Sequence, residues 1–266
     1  MDDPRESPTR PGAGPDPIIT FSGVKKAFGP KVIFEDATLS VYPGETLTIL
    51  GGSGTGKSVL IKMLIGLLRA DGGSIQAFGK EVTQMGERSL LDVRTRIAML
   101  FQSGALFDSL TVEQNIKYPL REHHWGTDNE MNQRVEEVLG MVGMPGSQKL
   151  KPSQLSGGMR KRVGLARAIA IQPEVILYDE PTTGLDPVNV RRINGLILSL
   201  QKKLGVTSVV VTHDMDSCFT VSNRIAMLYE RRIAFVGTAE ETQHCDIPYV
   251  REFTRGGKGV LDEDVT

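Results

Sequence analysis

Eight consecutive residues have the composition of a loop that binds phosphate. They are Gly51, Gly52, Ser53, Gly54, Thr55, Gly56, Lys57 and Ser58. Their order fits the pattern G-x-x-x-x-G-K-[ST], in which glycines let backbone N–H groups approach an anion and a helix turns its positive end toward it. This arrangement favours a loop that binds the phosphates of a nucleotide over a glycine-rich turn without a ligand. Lys57 would reach the β- and γ-phosphates, and the Ser58 hydroxyl would ligate Mg²⁺.

Two adjacent carboxylates are the second candidate for chemistry. Asp179 and Glu180 follow the apolar run 175–178, which predicts a buried strand that ends in two acids. Ligands of open α/β sheets bind at this carboxyl edge. There Asp179 would hold Mg²⁺, and Glu180 would deprotonate the attacking water as a general base. An ordinary strand end would explain the pair if it stood alone, but it fits poorly beside a phosphate loop.

A Ser-Gly-Gly sequence is a third candidate for contact with an anion. Ser156 can cap a helix that continues through residues 162–171, and Gly157 and Gly158 would leave its first N–H groups accessible. Taken alone, these three residues fit an ordinary loop equally well.

Strands and helices alternate around these segments, which predicts an α/β fold. The expected strands are 18–24, 32–41, 45–50, 74–78, 96–101, 174–178, 206–212, 224–228 and 232–236, and the expected helices include 59–66, 129–142 and 188–204. The valine-rich strands suit a parallel sheet that is covered on both faces. Residues 25–30 are expected to form a hairpin-like loop, and Thr111 is expected to cap a helix.

Changes of pattern along the chain predict its boundaries. Residues 1–17 are rich in Pro, Gly and charge, which indicates a disordered leader before a domain at 18–246. From about 103 to 165 the pattern becomes helical, which predicts an inserted helical subdomain. Residues 247–266 show no obvious core pattern, so we expect a tail that could serve as an interaction arm.

Composition restricts the class of protein. A net charge of -1 and a pI of about 6.5 give no basic field for nucleic acid, so no nucleic-acid partner is expected. Two cysteines are too few for a disulfide framework and suit a reducing cytosol. No signal peptide and no membrane-spanning apolar run stands out. We expect a cytosolic chain that reaches a membrane only through a partner.

The order of the motifs resembles that of the ATPase subunit of an ABC transporter. The phosphate loop, Gln102, the segment 155–159, the Asp179–Glu180 pair, the segment 184–186 and His213 follow the family's order. The resemblance covers about 18–240. It implies a P-loop NTPase of ABC type, with a mostly parallel core sheet, an antiparallel β subdomain and an inserted helical subdomain. It also implies ATP hydrolysis, with ATP and Mg²⁺ as cofactors.

The resemblance implies roles for residues that pattern alone does not single out. Phe28 lies where the family stacks an aromatic ring on adenine, although Tyr is commoner there, and alone it would be read as a core residue. Gln102 would sense Mg²⁺ and the attacking water, and His213 would contact the γ-phosphate.

The resemblance also implies a homodimer. Each ATP would be held between the phosphate loop of one subunit and Ser156, Gly157 and Gly158 of the other. Asp186 would lie at that interface and couple the paired sites, and hydrolysis would open the dimer.

One departure from the common pattern narrows the resemblance. The fifth residue of the 155–159 segment is usually Gln in the family, and here it is Met159. Together with segments 101–107 and 118–122, this variant resembles the ATPase of Mla/Mce-type lipid-transport systems. The implied partners are an integral-membrane permease, an MCE-domain lipid-binding protein and a small STAS-type accessory subunit, at the cytoplasmic face of the inner membrane. Phospholipid is the implied cargo.

Several alternatives stay open. The chain could serve an importer of a small polar solute, or it could be a soluble ABC protein that acts on DNA or ribosomes, although it shows no coiled-coil insertion, second nucleotide domain or basic surface. A regulator without turnover conflicts with the intact catalytic residues. Residues 103–107 could meet a permease or belong to a core. Residues 160–162 could favour phosphate or lipid headgroups, or form a solvated helix face.

Overall fold

The computed structural model describes residues 16–254, and within that range the chain forms one mixed sheet of ten strands. The strands are β1 (Ile19–Phe28), β2 (Lys31–Val41), β3 (Thr46–Leu50), β4 (Gly72–Ala77), β5 (Lys80–Glu81), β6 (Ile97–Leu100), β7 (Val175–Asp179), β8 (Thr207–Thr212), β9 (Arg224–Tyr229) and β10 (Arg232–Thr238). Their order across the sheet is β5-β4-β1-β2-β10-β9-β3-β8-β7-β6. The predicted α/β fold class is confirmed.

Helices pack against this sheet. They are α1 (Lys57–Leu64), α2 (Glu87–Arg96), α3 (Val112–Glu122), α4 (Asp128–Met141), α5 (Gly157–Ala170), α6 (Pro187–Leu204), α7 (Met215–Val221), α8 (Ala239–Gln243) and α9 (Pro248–Thr254). Among the described residues, no helix has both the length and the apolar character needed to cross a bilayer.

The centre of the sheet is parallel and buried on both faces. β3 pairs in parallel with β8 and β9, and β7 pairs in parallel with β6 and β8. Alternate residues of one strand enter different cores, since Leu177 packs with the α1 side while Ile176 packs with the α5 and α6 side. This burial explains why the central strands are nearly continuous apolar runs. Their carboxyl ends lie along one edge, where the candidate residues follow.

An antiparallel arm extends the sheet on one side. β1 pairs with β2 and with β4, and β4 pairs with the short β5. The expected loop at 25–30 is wrong for residues 25–28, because β1 continues to Phe28 and only the following Gly-Pro pair turns. An antiparallel strand with one face in solvent tolerates lysines on that face. Asp71 accepts a hydrogen bond from Lys26 Nζ at 2.8 Å.

A block of three helices lies between β6 and β7 in the chain. α3, α4 and α5 pack on one another through a shared apolar cluster. Thr111 caps α3 in a capping box with Gln114, as predicted, and Thr127 forms the equivalent box with Glu130 at α4. The helices occupy the predicted region, although α5 runs on to Ala170. That the block moves as a separate subdomain stays a prediction.

The last described helix corrects the expectation for the C-terminal region. A tail without a core pattern was expected from residue 247, yet α9 packs against the body and buries Val250 completely. Its Tyr249 ring stacks on Tyr229 with 3.6 Å between the centroids. An apolar face only two turns long is too short to give a clear periodic signal. Residues 1–15 of the predicted leader at 1–17, and residues 255–266, lie outside the described range.

Candidate nucleotide site

The phosphate loop connects the buried strand β3 to helix α1. No side chain caps α1, so its first N–H groups remain available at the loop. The residue before the helix is Gly56, with φ of +106°. A Cβ there would lie only 2.4 Å from Ile33 Cγ2 of the arm, which explains why glycine is required. Within the loop Gly51 and Lys57 are buried, Ser53 and Gly54 are exposed, and Gly52, Thr55, Gly56 and Ser58 are half-buried.

Lys57 lies inside the loop with its ammonium group surrounded by oxygen atoms. Its Nζ donates to the carbonyls of Gly51 and Gly52, both at 2.9 Å, and lies 3.5 Å from Glu180 Oε1. Burial lowers the pKa of Lys57, and the neighbouring Glu180 carboxylate opposes that shift. The geometry therefore brings a buried positive charge to the end of β7.

Ser58 and Asp179 meet across the gap between α1 and β7. The Ser58 hydroxyl donates to Asp179 Oδ1 at 2.5 Å, and Lys62 Nζ lies 4.0 Å from Oδ2 of the same carboxylate. Both groups are hard oxygen donors of the kind that Mg²⁺ accepts beside substrate phosphates. The described residues hold no cluster of three or more His, Cys, Asp or Glu that could bind a metal alone.

Glu180 is the centre of the hydrogen-bonding network. Its carboxylate accepts from Thr183 Oγ1 at 2.9 Å and lies 3.1 Å from His213 Nδ1. Thr212 Oγ1 lies farther away, at 3.5 Å. The side chain is 13% exposed, whereas that of His213 is 50% exposed. A nearly buried carboxylate therefore faces a half-exposed imidazole at the open edge of the sheet.

The backbone at Glu180 is unusual for a residue with a side chain. Its φ is +48°, in the left-handed region that costs about 1–3 kcal/mol for residues other than glycine. The Glu180 N–H still bonds to the Val211 carbonyl at 2.9 Å, which extends the β7–β8 pairing by one residue. Such strain persists only when the surrounding contacts hold it in place.

The segment Ser156–Gly158 begins α5, as predicted, but it does not join this network. Ser156 and Gly157 are exposed, and the Ser156 side chain accepts from Met159 N at 3.3 Å. Asp186 caps α6 in the same way, by accepting from Val188 N and Asn189 N. No hydrogen bond or ion pair of the described chain links Ser156–Gly158 or Asp186 to the phosphate loop.

Two further predicted site residues are exposed. Phe28 ends β1 with 46% of its surface exposed, which excludes the alternative of a core residue. Lys26 Nζ lies 5.0 Å from the centroid of its ring. Gln102 is exposed in the turn after β6 and makes no side-chain hydrogen bond among the residues described. The predicted contacts of both residues with a ligand stay predictions.

The structure adds residues that the sequence reasoning missed. Thr183 and Thr212 place hydroxyl groups beside the Glu180 carboxylate. Lys161 is buried, which excludes a solvated face for that residue. The helical periodicity contained the signal, because Lys161 shares one face with the buried Gly158 and Leu165.

The fold and this site define a P-loop nucleotide-binding ATPase. The sequence profile of the ABC transporter family matches residues 34–183, and the chain belongs to that family. The assignment made from the motif order is thereby confirmed.

Two relatives extend the similarity beyond the profile. The chain is 42% identical to the probable ribonucleotide transport ATP-binding protein mkl of Mycobacterium tuberculosis, over 90% of this chain but only 66% of that protein's length. It is 40% identical to the intermembrane phospholipid transport system ATP-binding protein MlaF of Escherichia coli, over 90% of this chain and 89% of MlaF. The similarity to MlaF-type proteins is thus confirmed.

A solved structure supports the fold. A dimeric ATP-binding cassette, MJ0796, in a post-hydrolysis state with ADP and Pi bound, superposes with a TM-score of 0.77 and 29% identity. The similarity covers 83% of this chain and 98% of that chain. The ABC-type architecture is therefore confirmed.

Proposed function

We propose that this chain is the ATP-hydrolysing subunit of a transporter that moves phospholipid between membranes. The observation that carries the ATPase part is the meeting of five side chains at the carboxyl edge of the sheet. They are Lys57, Ser58, Asp179, Glu180 and His213. Three separate elements bring an ammonium, a hydroxyl, two carboxylates and an imidazole within hydrogen-bonding range. That set matches the needs of phosphoryl transfer to water.

The reaction follows from the position of each group. The Glu180 carboxylate takes a proton from a water whose oxygen attacks the γ-phosphorus, while the bond to the oxygen bridging the β- and γ-phosphates breaks. Lys57 offsets the negative charge of the phosphates. His213 uses Nδ1 toward Glu180, which leaves Nε2 to contact the γ-phosphate. Ser58 and Asp179 would hold Mg²⁺, which would supply further charge stabilisation at the phosphates.

The active unit is a homodimer with two shared sites. Ser156 and Gly157 are exposed at a helix start, Gly158 is buried behind them, and none of the three forms a hydrogen bond or ion pair with the phosphate loop of its own chain. In the dimer they would complete the nucleotide site of the other subunit, with Asp186 beside them. The dimeric cassette MJ0796, which covers most of this chain, supports that arrangement. Phe28 would stack on adenine, and Gln102 would approach the metal and the water.

Phospholipid is the cargo that the relatives favour. MlaF matches this chain over nearly the full length of both proteins, and its name gives intermembrane phospholipid transport. The mycobacterial relative named for ribonucleotide transport is about half as long again as the matched region, so its name describes a larger protein. The partners are an integral-membrane permease, an MCE-domain lipid-binding protein and a STAS-type subunit. The chain associates peripherally with the cytoplasmic face of the inner membrane through the permease.

An exposed aromatic pair in the helical block offers a contact for the permease. Phe107 and Tyr118 are 43% and 44% exposed, with their ring centroids 4.9 Å apart. Arg167 approaches the Phe107 ring from α5, at 6.0 Å. The alternative that Phe107 belongs to an ordinary core conflicts with its exposure.

The test is purification of the tagged chain from its native membranes in mild detergent, with mass spectrometry of the proteins and lipids recovered. A permease, an MCE-domain protein and phospholipid are expected. A Phe107→Ser/Tyr118→Ser variant should recover less permease, while Leu91→Ser, at an exposed apolar residue of α2, serves as the control. A permease with a soluble-solute receptor, or with bound ribonucleotide, would overturn the lipid cargo. Recovery with ribosomes or DNA-bound proteins alone would overturn the transporter function.

A further inference from the structure

One lysine of α5 is buried inside a run of three basic residues. Lys161 is 5% exposed, and its Nζ donates to the carbonyls of Glu180 at 3.3 Å, Pro181 at 2.8 Å and Thr183 at 2.7 Å. An ammonium group has three donors, so each finds an acceptor. No carboxylate of the described chain forms an ion pair with this lysine. Its partners are the backbone oxygens of a single turn.

That turn determines where Glu180 points. It contains the strained Glu180 backbone, with φ of +48°, and the carbonyl groups of Pro181 and Thr183, to which Lys161 donates. The turn's own hydrogen bond, from Thr183 N to the Glu180 carbonyl, is long at 3.3 Å. Lys161 therefore supplies the stronger contacts that keep the turn in this conformation.

Lys161 also acts on the Glu180 carboxylate through Thr183. The Thr183 hydroxyl donates to Glu180 Oε2 at 2.9 Å, and the carbonyl of the same residue is held by Lys161. Moving Thr183 would rotate the carboxylate away from its present direction. The contacts of Lys161 thus reach the reacting side chain through both backbone and hydroxyl.

The other end of this connection is the start of α5. Lys161 lies one helical turn after Gly157, the exposed first residue of the same helix. The same helix is fastened to the turn after β6, because Arg167 donates to the carbonyls of Gly104 at 3.0 Å and Ala105 at 2.8 Å. Helix α5 is therefore hydrogen-bonded both to the turn after β7 and to the turn after β6.

We propose that Lys161 is a positioning residue that couples Ser156–Gly158 to the Glu180 of the same chain. This inference rests on the proposed dimer, in which those two parts serve different nucleotides. When a nucleotide held by the second subunit engages Ser156–Gly158, Lys161 transmits the resulting position of α5 to the turn that carries the base. Each site then hydrolyses ATP only when the other is filled.

The charge state of Lys161 supports this role. Burial lowers its pKa to about 8, and attraction to the Glu180 carboxylate opposes that shift. At neutral pH the group is still an ammonium with three N–H donors. A neutral side chain of the same length would leave three carbonyl groups with weaker or no partners.

The test compares Lys161→Met with Lys161→Gln and with the control Arg160→Met, in the complex purified from membranes. Met retains the length of the stem without donors, whereas Gln retains an amide that can reach the nearer carbonyls. Arg160 is the exposed neighbour on the same helix. We would measure kcat and KM for ATP, and the dependence of rate on ATP concentration. ATP binding would be measured separately in a Glu180→Gln background.

The expected result for Lys161→Met is a fall in kcat of about tenfold or more, with KM and ATP binding within about twofold. Cooperativity in ATP should decrease, Lys161→Gln should recover part of kcat, and Arg160→Met should match the wild type. A folded Lys161→Met with normal kcat and cooperativity would overturn the inference. So would parallel losses of kcat and ATP binding, which indicate a structural role.

Should Lys161→Met fail to fold, Lys161→Gln decides alone. Wild-type kcat and cooperativity in that folded variant would overturn the inference, and a lowered kcat with unchanged ATP binding would support it. Failure of the proposed function has a different signature, because the wild-type complex itself would then show no hydrolysis that depends on Glu180.

Discussion

The phosphate-loop side of the nucleotide site and the Ser156–Gly158 side differ in how far one chain completes them. On the first side, Lys57, Asp179 and Glu180 are nearly buried and already paired with neighbours from other elements. On the second side, Ser156 and Gly157 are exposed. The polar contact of the Ser156 side chain is with its own helix.

The difference shows which parts of a shared site a single fold can organise in advance. Buried charges must be paired within the chain that buries them, since an unpaired buried charge costs several kcal/mol. Exposed N–H groups at a helix start remain hydrated at little cost until an anion reaches them. In the proposed dimer, the phosphate-loop side therefore supplies the chemistry, and the Ser156–Gly158 side acts only on the nucleotide of the second subunit.

The largest expected effect tests the phosphate-loop side. Glu180→Gln should lower the rate of phosphate release by about 10²–10⁴-fold, because the amide cannot take the proton from water. ATP binding should persist, since Lys57 and the loop are unchanged, and the ATP-bound dimer should accumulate. Single-turnover phosphate release and equilibrium binding of ATP measure the two effects. The exposed Glu240→Gln serves as a control, and near-normal hydrolysis by Glu180→Gln would remove it as the base.

The next effect tests the Ser156–Gly158 side. Gly157→Glu should lower hydrolysis by about 10²-fold, because a carboxylate facing phosphate costs several kcal/mol. ATP binding to the single chain should not change. The fold should tolerate the change, because a Cβ at Gly157 meets only Leu185 Cδ2, at 3.9 Å.

Light scattering with and without ATP would show whether that variant has lost the dimer. Gly157→Ala, which adds no charge, should retain most activity. If Gly157→Glu lost ATP binding as a monomer, Gly157 would belong to the site of its own chain, and the contrast between the two sides would fail.

A third effect concerns Lys161, the connection between the two sides. The folded chain releases this proton near pH 8, whereas the unfolded chain holds it to about pH 10.5. The unfolded state therefore binds more protons between those values, and the contribution of Lys161 to stability rises with pH. The difference in unfolding free energy between wild type and Lys161→Met should increase by about 3 kcal/mol over that range.

Urea unfolding of both proteins at several pH values measures this difference. Burial also raises the pKa of Cys218 and Tyr249, each to about 12, which weakens folding as pH rises. Those contributions occur in both proteins and cancel in the comparison. If the difference in unfolding free energy stayed constant from pH 7.5 to pH 10.5, the pKa of Lys161 would not be lowered in the folded chain.

The smallest effect concerns Phe28, at the end of the arm. Phe28→Ala should weaken ATP binding about tenfold, since stacking of a base on an aromatic ring contributes about 1–3 kcal/mol. Binding of inorganic tripolyphosphate should not change, because it has no base. Titration calorimetry with both ligands separates the two cases, and Phe28→Tyr should retain the affinity. An equal loss for both ligands would place the effect in the fold.

The sequence predicts the local segments of the site better than the contacts between those segments. Short patterns, each confined to a few neighbouring residues, predict the phosphate loop, the helix caps at Thr111 and Ser156, and the buried central strands. The contact between His213 and Glu180 depends instead on β7 and β8 being neighbours in the sheet. No local pattern contains that order, and the family resemblance gave each residue its own role without predicting their contact.

The missed features have a common physical origin. The basic run at 160–162 predicts a solvated or phosphate-binding face. It does not reveal the burial of Lys161, because the three acceptors of this lysine lie in a turn much later in the chain. Thr183 was not singled out, because its partner Glu180 is recognised only once the turn is formed. Helix α9 was missed because its apolar residues find a partner only in the assembled body. Polar contacts between distant segments leave little trace in hydrophobic periodicity.

The strand order also has a consequence for synthesis on the ribosome. β3, which leads into the phosphate loop, pairs with β8 and β9 near the other end of the described chain. The loop sequence therefore emerges long before the strands that hold it, and β3 waits as an unpaired apolar segment. An incomplete translation product carries the ATP-binding motif without its geometry. The phosphate loop is held in place only after β8 and β9 have been made.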